Sequence, residues 1–194
     1  KTRRTKPTSQ KESQRWITTE ERVEERIPPS VDIIMIADRE ADIYDYIARK
    51  RRRGCKMLIR FTHDRCIADD TAHRVFAQLE TSAVQGVDTI AVTDATTGKA
   101  RTASVTYRWT QVTLLPPNGR MIACTEPVSV WVIMVREENA PDGVTPIEWK
   151  LMTTIAITSL DDVRQCVRWY SYRWLIERFH YVLKSGCQVE KLQL

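Results

Sequence analysis

Two carboxylates and a run of cations carry the chemistry that can be read in this sequence. Asp38 follows the apolar run VDIIMIA at Val31 to Ala37, and Glu177 lies within YSYRWLIERFHYVLK at Tyr170 to Lys184. A short, partly β-branched apolar run reads as a buried strand, which puts Asp38 at a strand's carboxyl end, where open α/β sheets place their ligands. Asp38 can equally cap the helix expected after it, and the two roles are compatible. At about 100° per residue on a helix, Tyr170, Arg173, Glu177 and Lys184 project within an arc of about 60°. Two readings of that strip stand side by side. In one it is a solvated face, where Arg173 and Glu177 form an ion pair worth a few tenths of a kcal/mol. In the other Glu177 ligates a metal while Tyr170, Arg173 and Lys184 hold phosphates, as phosphoryl transfer on nucleic acid requires. A strand carboxylate facing a helix carboxylate would offer hard oxygen ligands to a divalent cation.

The elements that must position these residues follow from pattern. Trp169, Leu175, Ile176, Phe179, Val182 and Leu183 fall in a separate arc of about 140°, so the helix over Tyr170 to Lys184 is expected to seat that face on a core. Gln10 to Arg26 is charged and almost free of breakers, a helix stopped by Pro28-Pro29. Glu40 through about Arg52 reads as a helix with acids in its first turn, and Gly54 ends it. The run RKRRR at Arg49 to Arg53 is either a solvated helix end or a phosphate-contacting patch. KMLIRF at Lys56 to Phe61 reads as a second strand with Arg60 on it and Arg65 just past it, and a short helix is expected from about Ala72 to Glu80. TIAVTDA, ARTASVTYRWTQVTLL, VSVWVIMVRE and WKLMTTI then form an antiparallel block of about four strands. Trp109, Trp131 and, by itself, Trp149 read as packing residues.

Composition sets outer limits. The 194 residues suit one domain or one domain carrying an insertion. A net charge of +5 and a pI near 9.0 favour an anionic partner. Cys55, Cys66, Cys124, Cys166 and Cys187 are scattered and form no C-x-x-C pair, which argues against a disulfide framework and a zinc site and for a reducing compartment. His63, His73 and His180 are unclustered and read as ordinary surface or packing residues. No run approaches 18 apolar residues, so no membrane span is expected. The chain opens at Lys1 with KTRRTKPTSQKES, a basic stretch without core residues, and is expected to be a piece of something longer.

ADREADIYDYI at Ala37 to Ile47 and the Tyr-x-x-Arg-x-x-x-Glu-x-x-x-x-x-x-Lys pattern at Tyr170 to Lys184 closely resemble cut-and-paste DDE transposases, in particular transposon-five-like members of the insertion-sequence-four family. KESQRW, LIRF, TPIEWKLMTT and RWLIERFHYVLKSG extend the resemblance over nearly the whole chain. It implies an α/β fold, a partial ribonuclease-H-like core interrupted by an antiparallel β insertion. The organisation would be a basic arm and helix over residues 1–30, the first part of the core over 31–71, a mainly antiparallel β insertion over 72–158, and the core helix over 159–194.

By the same resemblance, Asp38 is the second catalytic aspartate and Glu177 the catalytic glutamate, both ligating Mg²⁺ or Mn²⁺. Tyr170, Arg173 and Lys184 would grip DNA phosphates beside the cut. Trp149 would offer its indole to a base flipped out during the hairpin step, and Arg60 and Arg65 would lie on the DNA-facing side. The implied partners are double-stranded DNA, as transposon ends and target, and a second protomer in a homodimer, in a bacterial cytoplasm at the nucleoid. The family's first catalytic aspartate stands on an earlier strand, and only Asp32, on the same strand as Asp38, precedes Asp38 here. The isolated chain is therefore expected to be inactive. A non-catalytic DNA-binding remnant that inhibits transposition is the alternative, and a host nuclease with the same core is a third reading.

Overall fold

The computed structural model describes residues 7–69, 72–93, 100–118 and 122–187. Of the basic arm expected over residues 1–9, residues 1–6 lie outside them, and Thr8–Gln10 form a 3₁₀ turn. Six strands form one sheet in the order β1-β2-β6-β5-β4-β3, comprising β1 (Ile33–Ala37), β2 (Cys55–Arg60), β3 (Gly86–Thr93), β4 (Ala100–Leu114), β5 (Val128–Glu137) and β6 (Glu148–Thr153). Only β1 and β2 are parallel, with Ala37 opposite Ile59. The other pairs are antiparallel, and β6 returns to lie against β2, so the expected β block continues the first two strands as one sheet.

Period-two alternation builds a core on each face. Met57, Ile59, Val132, Met134, Leu114 and Met152 point to one face, and Leu58, Ile133, Val135, Val105, Tyr107 and Leu151 to the other. The first face carries α1 (Gln14–Arg26), which contributes Trp16 and Ile17, the single turn α2 (Tyr44–Ile47), and α3 (Val75–Thr81). The second face carries α4 (Leu160–Ser171), whose Val163, Cys166, Val167 and Tyr170 repeat at helical spacing and are all buried. Its start is fixed by a capping box, in which the Ser159 hydroxyl accepts from the Asp162 amide and the Asp162 carboxylate accepts from the Ser159 amide. Gly86 lets β3 approach that start, since a Cβ there would lie 2.4 Å from Leu160 Cδ1.

Two helix expectations are corrected. The segment from Glu40 to Arg52 is not one helix. It is a 3₁₀ turn at Arg39–Ala41, then α2, then loop. Asp42 is the reason, because its buried carboxylate bonds the loop after β2 and its backbone carbonyl accepts from Arg65 instead of continuing a helical ladder. The RKRRR run is likewise neither a solvated end nor a free patch at Arg49 and Arg51. Arg49 binds Glu24 at 2.8 Å and Arg51 binds the fully buried Glu20 at 2.6 Å, which fastens the loop to α1.

The helix over Tyr170 to Lys184 is also divided. Short-range bonds from Tyr172 to Trp169 and from Arg173 to Tyr170 tighten the chain between α4 and α5 (Trp174–Tyr181), and a π turn at Val182–Gly186 closes with Cys187 N–H donating to Val182. Only the α4 part is seated. Leu175, Ile176, Phe179 and Val182, expected in the core, are each at least half exposed, because α5 runs on past the packed face of the sheet. Among the described residues no helix is long and apolar enough to cross a membrane.

Candidate nucleic-acid interface

The joint between α4 and α5 brings four of the candidate residues, Arg60, Trp149, Tyr170 and Arg173, to one cleft. Arg173 stands at the joint and donates to Glu177 one turn on, at 2.8 Å. Burial works against the charge of Arg173, but the Glu177 hydrogen bond and the negative fields of Tyr170, Glu177 and Asp38 outweigh it and hold the guanidinium above its ordinary value. Glu177 pairs with this guanidinium directly, whereas Asp38, 139 positions away in sequence, adds only the weakest of these fields. Asp38 is half-buried at the carboxyl end of β1, and its Oδ1 accepts from the Glu40 amide at 2.9 Å, so it does cap the turn that follows. Glu177 is 64% exposed on α5.

Carboxylate oxygens are the donors that Mg²⁺ and Mn²⁺ prefer, so Asp38 and Glu177 are chemically suited to a hard divalent cation, although Glu177 is here paired with Arg173. A different set, Glu20, Glu24 and Cys55, is the only trio of ligand atoms within mutual reach among the described residues. It does not fit a metal. Arg49 and Arg51 already neutralise both carboxylates. Burial, followed by the adjacent Glu24 and Glu20, pushes the Cys55 thiol up to about 12, so it stays protonated.

Tyr170 leaves the expected polar strip. It is only 6% exposed, because it continues the buried spacing of Val163, Cys166 and Val167, and its ring meets Trp149 edge-on at 5.7 Å. Trp149, half-buried on β6, is therefore part of a wall as well as a packing residue. Together with Arg60, Arg173, Trp174 and Arg178 these aromatics line a cleft of about 820 Å³. Arg60 reaches the Glu148 carbonyl at 3.1 Å from the end of β2. Lys184 is exposed within the π turn, which shifts it off the regular helical phase of Glu177.

Arg65 is turned inward. It is 10% exposed and binds the Asp42 carboxylate and, at 2.8 Å, the Asp42 carbonyl. Asp42 is held below its ordinary value: burial pushes it up, but the Arg65 charge and the Thr62 and His63 amides prevail.

Sequence reading missed Trp174, Arg178 and the Asp42–His63 contact. Trp174 follows Tyr170 and precedes Arg178 by one turn each, and the Arg178 guanidinium sits 5.2 Å from the Trp174 ring, a spacing visible in sequence. Asp42 and His63 are 21 residues apart and have no local signal. The family model described as the transposase DDE domain matches residues 4–194.

Proposed function

Since the chain belongs to the transposase DDE domain family, we propose that it is catalytic-core sequence of a DNA-cutting and strand-joining transposase, with a partial ribonuclease-H-like core and a transposon-five-like, hairpin-forming reaction. The observation that supports this reading is the cleft of aromatics and arginines at the α4–α5 joint, where Arg173 pairs with Glu177 and feels the weaker field of Asp38. Asp38 and Glu177 would hold Mg²⁺ or Mn²⁺, which supplies Lewis-acid polarisation of a phosphodiester and activation of the attacking oxygen. Arg173 and Lys184 hold phosphates of the bound strand, and Arg173 moves from Glu177 to phosphate as DNA arrives. Tyr170 braces Trp149, so the indole keeps a fixed plane on which an extruded base stacks, a contact worth about 1–3 kcal/mol. Arg60 faces the same cleft from the strand side. Arg65 acts indirectly, by holding Asp42 and with it the loop next to Asp38.

The carboxylate pair supplies two of the three acids that such a site uses, so the isolated chain binds duplex DNA without turning it over. A supercoiled-plasmid assay in Mn²⁺ tests this. Retention of the plasmid with no nicking above a Glu177→Gln control is expected. Nicking that disappears in that variant would overturn the inactivity, and failure to bind DNA at all would overturn the transposase reading.

A further inference from the structure

The carboxyl edge of the β1–β2 pair carries a second oriented group. Parallel pairing of Ala37 with Ile59 sets Asp38 level with Arg60, and His63 lies three residues beyond Arg60 on that edge. His63 Nδ1 is 2.7 Å from Asp42 Oδ2, and the same oxygen accepts the Thr62 and His63 amides at 2.8 Å each. Arg65 covers Asp42 Oδ1. A carboxylate in this state only accepts, so Nδ1 carries the proton and the imidazole presents Nε2 outward. The Asp42 side chain is fully buried while that of His63 is 57% exposed, and among the described residues Nε2 has no hydrogen-bond partner.

The buried charge of Asp42 is already met by Arg65 and two amides, so the fold does not need the imidazole to satisfy it. What the contact adds is a ring held in one orientation at the protein surface, with its ordering cost met before any ligand arrives. A metal is a poor candidate for that ring. No two further ligand atoms lie within reach of it among the described residues, and both Asp42 oxygens are engaged. Arg65 is already paired with Asp42, so it is the ring itself, a donor at both nitrogens when protonated, that would favour an anion.

We propose that His63 Nε2, oriented by Asp42, is a binding site for a phosphodiester oxygen of DNA crossing the carboxyl edge of the sheet next to Asp38. This rests on the DNA-processing reading above and adds a contact to it. Protonated, the ring donates Nε2–H to the phosphate and releases a counterion, whereas neutral it loses that donor. The charged groups around it are Asp42, from the turn after β1, with its partner Arg65, and Asp64 next in sequence. The adjacent, exposed Asp64 carboxylate accepts the Phe76 amide of α3 and keeps its negative charge, and Arg74 donates to the Asp64 carbonyl.

Anisotropy titrations of a fluorescent duplex at about pH 6 and about pH 8 test the site, with wild type, His63→Gln and His63→Lys compared across a salt series. His73 and His180 are common to all three, so differences report His63. Where the protonated ring holds a phosphate, the Gln variant should lose about 0.9 from the slope of log affinity on log salt, a loss that shrinks as pH rises. The Lys variant should keep the steeper slope at both pH values. A Gln variant equal to wild type at both pH values, with the wild type binding normally, overturns the His63 site alone. Failure of the wild type to bind duplex at either pH overturns both this site and the reading it rests on.

Discussion

Replacing Arg173 by Gln should separate stability from DNA binding. The Arg173–Glu177 pair is one helical turn, and Glu177 is 64% exposed. Such a pair is worth about 0.3–0.5 kcal/mol. For a chain of this size about 2–4 °C of melting temperature corresponds to each kcal/mol, so Arg173→Gln should melt within about 2 °C of wild type. DNA binding should respond more strongly. Loss of one phosphate contact lowers the slope of log affinity on log salt by about 0.9, which over a fourfold rise in salt is about a 3.5-fold difference. Glu177 would also lose the cation that competes for its carboxylate, so Mn²⁺ should bind the variant at least as tightly as wild type in the absence of DNA. Thermal melts, a salt series of duplex titrations and a Mn²⁺ titration read the three quantities. An unchanged salt slope would refute the phosphate role of Arg173, and a melting loss beyond about 5 °C would show that the pair is a structural support instead.

Two predictions concern what holds the site in place. Glu20→Gln leaves the buried Arg51 guanidinium without its charge partner, which costs about 3–5 kcal/mol, so melting should fall by about 6–20 °C, and a loss below about 2 °C would contradict the anchoring role. Acid should also destabilise the fold through Asp42 and Glu137. For Asp42 burial raises the value but the Arg65 charge and the amides lower it further, and for Glu137 the Arg101 hydrogen bond leads the lowering. Folded values below the unfolded ones mean that the stabilisation is complete above about pH 5 and is lost as pH falls through the folded values. Melting temperature should therefore be level from about pH 5 to 7 and decline below about pH 4, and a level profile down to about pH 3 would contradict it.

The strands were legible because their signal is local. VDIIMIA and KMLIRF are short apolar runs, and the later strands alternate between two packed faces, so period and turn residues place them. The helices after β1 and after Tyr170 were misjudged for reasons that no local pattern carries. Asp42 gives up helical geometry for partners twenty and more residues away. The apolar stripe of α5 has perfect helical spacing but extends beyond the sheet, so periodicity is right about the helix and silent about whether anything lies opposite. Among the site residues, Asp38, Glu177, Arg173 and Trp149 could be named from motif and spacing, while the cleft that brings Trp149 and Arg173 together is tertiary. His63 looked ordinary because its partner is set by a loop crossing, not by spacing.

The most direct test of the central claim is Mn²⁺ binding, followed by electron paramagnetic resonance, in the presence of duplex DNA. Wild type should bind Mn²⁺, Asp38→Asn and Glu177→Gln should each weaken it about tenfold or more, and Glu24→Gln should not. Equal binding by the wild type and the first two variants, or a loss confined to Glu24→Gln, would contradict the assignment of Asp38 and Glu177 as the metal-holding pair.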